Sequence, residues 1–347
     1  MKTTLSHVEP LTGFTSLPGC HCVTTSFRKM CAFNGYTVSE EMLLGLGAGV
    51  GFIYWHQKGQ VPMLGGRGNN KGFHEDLSRR TGIVIEEHRT SSAKTAEQEL
   101  VKLLEAGQPV TINADMPFLT YLGLPEQAHF GGHVVVVCGY EPASRQVLIS
   151  DMSPRQTGCK DAVLAPLGMD QLAKARGSKF KPFPPGNCWF TFDFSAAHPP
   201  AKKDVREAIA QCAGDMINPP IQNLGVAGIR TAAARVKQWP VVLDKKQLRM
   251  ALFNIYIFSE IGGSGGGMFR FMYSRFLEEA AVVTGNARYA DAGREMEACA
   301  QDWRDLSAPL EGALETAHPA ALVPAVVKGL EDLHERESSV WTELAAL

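Results

Sequence analysis

The chain has 347 residues, 45% hydrophobic and 20% charged, enough for a full core and for two domains. A net charge of −2 with no long Lys/Arg run gives no support to a nucleic-acid partner or an anionic membrane surface. No apolar run approaches the roughly 20 residues that span a bilayer, and Met1 to His7 lacks the apolar core of a signal peptide. Eight cysteines at 20, 22, 31, 138, 159, 188, 212 and 299 are scattered, several inside apolar patterns, which fits reduced thiols and a cytoplasmic location.

In chain order, Gly19-Cys20-His21-Cys22 reads as a turn that delivers Cys22 to the first position of a helix. Val23, Phe27, Met30 and Cys31 give that helix one apolar face. A cysteine there feels unpaired backbone N–H groups and the positive end of the helix dipole, which favour the nucleophilic thiolate. Asn34-Gly35 is a turn, and Ser39 with Glu40 and Glu41 starts a short second helix. Gly45, Gly47, Gly49 and Gly51 then alternate, but Val50 and Phe52 fall where Gly-x-Gly-x-x-Gly needs its third glycine. Close backbone packing is the better use of them than a nucleotide cradle.

Residues 61–72 read as a Gly- and Asn-rich loop and 95–106 as a helix closed by Gly107. A strand follows at 110–112, then a long loop over 115–131. Two apolar strands come next, His133 to Gly139 and Val147 to Ser150, and a last one at Cys188 to Phe194. After His198-Pro199-Pro200 the chain becomes alanine-rich, with helices expected at 225–239, 245–260, 268–284, 287–305 and 320–345. The expectation is α+β: an N-terminal domain over 1–197 and an all-helical domain over 201–347.

Cys22 opens a helix, His133 opens a strand, and Asp151 ends the next strand. If those strands are hairpin neighbours, Asp151 holds one imidazole nitrogen of His133 while the other faces the thiol. Such a Cys-His-Asp triad performs acyl transfer, and Cys before a distant His is the papain-like order. Each residue also has an ordinary structural reading, and Cys20 as nucleophile or Asp115 as acid stays open. Metal is the rival use of Cys20, His21, Cys22, His129 and His133, but Cys-x-Cys lacks the usual zinc spacing and no second pair completes a site. No metal or other cofactor is expected.

Glu260-Ile261-Gly262-Gly263-Ser264-Gly265-Gly266-Gly267-Met268-Phe269-Arg270 places five glycines before a strong helix. Such an entry either binds an anion or makes a tight helix–helix connection. The apolar stretches Phe52 to Trp55 and Met268 to Tyr273 either line an acyl pocket or pack in the core. Together these stretches offer Tyr54, Trp55, Glu260, Ser264, Arg270 and Tyr273 as substrate-binding residues.

His21-Cys22-x-Thr24-Thr25-Ser26-Phe27-Arg28, Leu43-x-Gly45-Leu46-Gly47-Ala48-Gly49-Val50-Gly51-Phe52 and Gly131-Gly132-His133-Val134-Val135-Val136-Val137 resemble the BtrH-like family of butirosin biosynthesis. Gly262 to Arg270 and Phe276-Leu277-Glu278-Glu279-Ala280-Ala281 resemble the domain of unknown function that usually follows it. The resemblance implies a papain-like cysteine-peptidase-type domain related to bacteriocin-leader peptidases, with Cys22, His133 and Asp151 on the triad positions. It also implies natural-product biosynthesis and an acyl-carrier-protein thioester as donor. The related peptidases place an oxyanion-stabilising glutamine six residues before the nucleophile, where this chain has Ser16 beside Thr15. Attack on an activated thioester therefore fits better than proteolysis.

The expected function is an acyltransferase or thioester-processing enzyme that passes the acyl group to a small-molecule amine or alcohol, to water, or to an internal nucleophile. Its expected partners are an acyl carrier protein or other thioester donor and a small-molecule acceptor, with homo-oligomerisation left open. The competing readings are a non-catalytic binding protein on a papain-like shell and a leader-peptide cysteine peptidase.

Overall fold

The computed structural model describes residues 8–154 and 156–347, so His7 and the rest of the first seven residues lie outside the described part. In chain order the elements begin with helices α1 (Cys22–Phe33) and α2 (Glu40–Leu46), strands β1 (Val50–Trp55) and β2 (Met63–Arg67), and α3 (Phe73–Thr81). Next come β3 (Val84–His88), α4 (Ala93–Glu105), β4 (Val110–Ala114), β5 (His133–Glu141), β6 (Gln146–Met152), β7 (Ala162–Gly168), α5 (Met169–Gly177) and β8 (Trp189–Asp193). The remainder is helical: α6 (Lys202–Ile217), α7 (Gly225–Val236), α8 (Trp239–Val242), α9 (Lys245–Tyr256), α10 (Arg270–Thr284), α11 (Arg288–Ser307) and α12 (Val323–Ala345).

Two compact units emerge. One holds residues up to Glu40, then Gly82–Gln156 and Lys160–Ala197; the other holds Glu41–Thr81, Thr157–Cys159 and His198–Leu347. The stretch 41–81, which in sequence precedes most of the first unit's strands, therefore clusters with the C-terminal helices. Its glycines show why. A Cβ on Gly45 would sit 2.3 Å from the Phe276 ring, and one on Gly66 would sit 2.6 Å from the Met268 carbonyl oxygen.

The first unit is built on an antiparallel sheet of order β3-β8-β4-β5-β6-β7. On β5, His133 to Gly139 are all buried, because both faces of the strand are covered. Val135 and Val137 pack with Leu100 and Leu104 of α4 and Leu172 of α5. Val136 and Cys138 face the other way, toward Met30 of α1, Phe14 and Leu148. Phe27 of α1 meets Phe190 and Phe192 of β8 edge-on at 5.6 and 5.1 Å, fixing that helix against the sheet.

The second unit pairs β1 with β2 and surrounds them with helices. The strand at 63–67 falls inside the stretch read as a loop. Among the described residues no helix is long and apolar enough to cross a membrane.

Candidate active site

Cys22 is the first residue of α1 and is partly accessible. His21 is the N-cap, its ring Nδ1 accepting from the Thr24 N–H at 3.5 Å. The turn before it is held by Glu40, only 2% exposed. One Glu40 oxygen accepts the His21 N–H at 2.7 Å and the Thr24 and Thr25 hydroxyls at 2.7 and 2.8 Å; the other accepts the Cys20 N–H at 2.9 Å. Burial raises the Glu40 pKa, and these four donors offset that rise only in part. Glu40→Gln replaces one acceptor oxygen by a donor that faces those N–H or O–H groups. It is expected to cost roughly 2–4 kcal/mol in a denaturant titration and to slow alkylation of Cys22; unchanged stability would refute the clamp.

His133 and Asp151 reach the site from adjacent strands. The β5–β6 register pairs Val136 with Ser150, so the start of one strand lies beside the end of the other. His133 Nε2 is 2.9 Å from Asp151 Oδ2. Cys22 interacts electrostatically with the same imidazole. Asp151 Oδ2 further accepts the Tyr121 hydroxyl at 2.9 Å, and Oδ1 accepts the Met152 N–H at 2.7 Å. Lys29 Nζ donates to the Asp151 carbonyl at 3.4 Å.

Burial opposes charge on all of these groups, and the pairing decides which charges survive. For Asp151 the burial penalty is outweighed by His133 and the other donors, so its carboxyl stays below the usual range. For His133 burial is outweighed by the Asp151 charge and hydrogen bond and by Cys22, and its pKa is pushed up to about 10. Burial, reinforced by Asp151, lifts Tyr121 well above its ordinary value, which keeps it a donor. An imidazolium held between a carboxylate and a sulfur can stabilise a thiolate and return a proton to a leaving group.

The other expected site residues are placed as follows. Ser16 Oγ is 2.6 Å from Ser150 Oγ, and Thr15 is exposed. Cys20, the competing nucleophile, is 3% exposed and disulfide-bonded, as is Cys159, against the expectation of thiols throughout. The competing acid Asp115 pairs instead with His129 Nδ1 at 2.8 Å and accepts the Ser178 hydroxyl at 2.5 Å. His129 stacks on Phe180 with ring centroids 3.4 Å apart. No three metal-ligating side chains cluster among the described residues.

In the second unit, Tyr54 is buried with its hydroxyl 3.4 Å from Trp239 Nε1, and Trp55 is half-buried. Glu260 Oε1 accepts the Gly267 N–H at 2.9 Å and its Oε2 pairs with Arg304 at 3.2 Å. Ser264 donates to the Ser259 carbonyl at 2.5 Å and accepts the Gly266 N–H at 3.3 Å. Arg270 and Tyr273 are 0% exposed. Glu260, Ser264, Arg270 and Tyr273 were expected among the substrate-binding residues. In the structure they are interior framework, and the anion at the glycine-rich turn is Glu260 itself. Gly263, Gly265, Gly266 and Gly267 all have positive φ, which explains the glycine run without a ligand.

Sequence reasoning missed Glu40, Tyr121, Lys29 and Lys160 as neighbours of the triad. Glu40 was visible only as a first-turn acid, and the others sat in no motif.

Two family models match the chain: "Butirosin biosynthesis protein H, N-terminal" over residues 21–152 and "Domain of unknown function (DUF4872)" over residues 170–344. The first includes Cys22, His133 and Asp151. No curated protein matches the chain. With both models in order over most of its length, on an α+β fold whose N-terminal domain is papain-like, the chain belongs to the BtrH-like family.

Proposed function

We propose that this protein is a cysteine-dependent acyltransferase of natural-product biosynthesis that accepts an acyl group from a carrier-protein thioester. The observation that carries the reading is His133, bonded to Asp151 at 2.9 Å and interacting electrostatically with Cys22. Family membership supports a role in biosynthesis.

In the first half-reaction the Cys22 thiolate attacks the thioester carbonyl and forms a new C–S bond. Collapse of the tetrahedral intermediate breaks the C–S bond to the carrier, and the proton on His133 goes to the departing thiolate. Neutral His133 then takes a proton from the attacking acceptor, an amine or alcohol. The acyl group leaves Cys22, whose thiolate is restored beside the imidazolium. Asp151 keeps the imidazole ring oriented through both halves.

Intact mass after incubation with a panel of acyl-carrier and N-acetylcysteamine thioesters tests this. Wild type is expected to gain the acyl mass and Cys22→Ala is not. Equal adduct on both proteins, or thioester turnover that survives in Cys22→Ala, would show the covalent mechanism to be wrong.

A further inference from the structure

Tyr121 lies in the stretch between β4 and β5, and the fold leaves it little freedom. Its neighbours Leu119 and Leu122 are buried, and its own ring packs against the cluster that holds Val135 and Ile149. Asp115 at the start of the stretch closes onto its end. Oδ1 accepts the Phe130 N–H at 2.9 Å, Oδ2 bonds His129 Nδ1 at 2.8 Å, and the Met116 N–H donates to the Phe130 carbonyl at 3.3 Å. In between, Gln171 of α5 donates to the Phe118 carbonyl at 3.0 Å. A segment tied down at so many points delivers the Tyr121 hydroxyl to a fixed place.

That place is Asp151 Oδ2, at 2.9 Å, the same oxygen that bonds His133 Nε2 at 2.9 Å. The other oxygen, Oδ1, accepts the Met152 N–H at 2.7 Å. The terminal torsion of an aspartate is broad, so one donor alone leaves the carboxylate free to swing. Donors on both oxygens fix its plane, and a bond to an ionised acceptor is roughly twice as strong as a neutral one. The charged groups acting on Asp151 besides His133 are Lys29, whose Nζ donates to the Asp151 carbonyl at 3.4 Å, and Lys160.

We propose that Tyr121 is a positioning residue for His133: its hydroxyl locks the Asp151 carboxylate in the orientation that keeps Oδ2 on His133 Nε2. The inference rests on the acyl-transfer reading and adds to it a residue outside the triad. Tyr121 acts through Asp151 alone. A general acid and base works only while its ring is held within hydrogen-bond reach of the reacting groups, and here that hold passes through one carboxylate oxygen.

The test compares full-length wild type with Tyr121→Phe, which keeps the ring and removes the hydroxyl. Acylation of Cys22 by an N-acetylcysteamine thioester is followed by rapid quenching and intact mass over a range of thioester concentrations. The maximal acylation rate is expected to fall about tenfold, while the half-saturating concentration stays within about twofold of wild type. The proton NMR signal of the His133 ring N–H on Asp151, assigned by its loss in His133→Gln, should shift in the same variant. Replacing Tyr121 by fluorotyrosine keeps ring and hydroxyl but makes a stronger donor, so the rate should persist and the His133 signal should move. Should Tyr121→Phe melt early, the fluorotyrosine protein decides, and an unmoved signal there overturns the proposal. An unchanged rate and signal in folded Tyr121→Phe, or a loss confined to the half-saturating concentration, overturns the role of Tyr121 and leaves the nucleophile reading standing. Wild type that takes no acyl group on Cys22 overturns that reading, and this inference with it.

Discussion

Asp151→Asn is expected to lower acyl transfer by about three to four orders of magnitude while leaving the protein folded, as the equivalent change does in serine triads. The reason is a donor–acceptor count. Asp151 is an acceptor at both oxygens, toward His133 and Tyr121 at Oδ2 and toward the Met152 N–H at Oδ1. An amide has one acceptor and one donor end. With its oxygen on the Met152 N–H, its NH2 group faces His133 Nε2 and forces the ring proton onto Nδ1, toward Cys22. The imidazole then cannot take a proton from the thiol or the acceptor. With the amide reversed, two donors meet at the Met152 N–H.

The same pair sets a pH signature. His133 is raised to about 10 in the folded protein, so its contribution to stability is complete below the unfolded histidine value of about 6.5 and is lost as pH rises through 10. Asp151 is lowered, so its contribution is present above about 3.9 and lost as pH falls. The difference in melting temperature between wild type and Asp151→Asn should therefore be widest between about pH 4 and 6.5 and close toward pH 10. A difference that is flat from pH 5 to 10, or an Asp151→Asn variant with more than a tenth of wild-type transfer, would contradict the assignment.

Cys22, His133 and Asp151 could be singled out together because each sits where local sequence rules speak. Cys22 follows a glycine turn and opens an amphipathic helix, and His133 and Asp151 end strands of one hairpin. Glu40 and Tyr121 were not legible, since each reaches the site through contacts that only the folded chain creates. Asp115 stayed open as an alternative to Asp151, and their separation depends on the path of the 115–131 loop, which brings His129 back to Asp115.

The missed strands fail for a different reason. β3 and β7 are the two edges of the sheet, and edges are kept polar or interrupted. β3 carries Glu86 and Glu87, and in β7 the apolar run Ala162 to Ala165 is cut short by Pro166. β2 was hidden by Gly65 and Gly66, the second of which is demanded by the approach of Met268.

Arg270 shows how a residue chosen as a ligand for an external anion already has one within the chain. Both Arg270 and Glu337 have fully buried side chains, joined by two bonds, Nε to Oε1 at 2.9 Å and Nη2 to Oε2 at 2.8 Å. The indole N–H groups of Trp303 and Trp341 complete the Glu337 carboxylate at 2.6 and 3.0 Å. Arg270 Nη1 donates to the Gly51 and Met268 carbonyls at 2.8 Å each. Glu337→Ala leaves a buried guanidinium without its counter-charge and two indoles without an acceptor. It is expected to destabilise the protein by about 3–5 kcal/mol, read from denaturant midpoints. Arg270→Met should cost a similar amount, and the double variant Arg270→Met/Glu337→Leu clearly less than the sum, because neither charge is then stranded. Glu337→Ala within about 1 kcal/mol of wild type would break the argument. Any external anion at Arg270 would have to displace a carboxylate that the chain itself tethers in place with two other donors, Trp303 and Trp341, so the pair belongs to folding rather than to substrate.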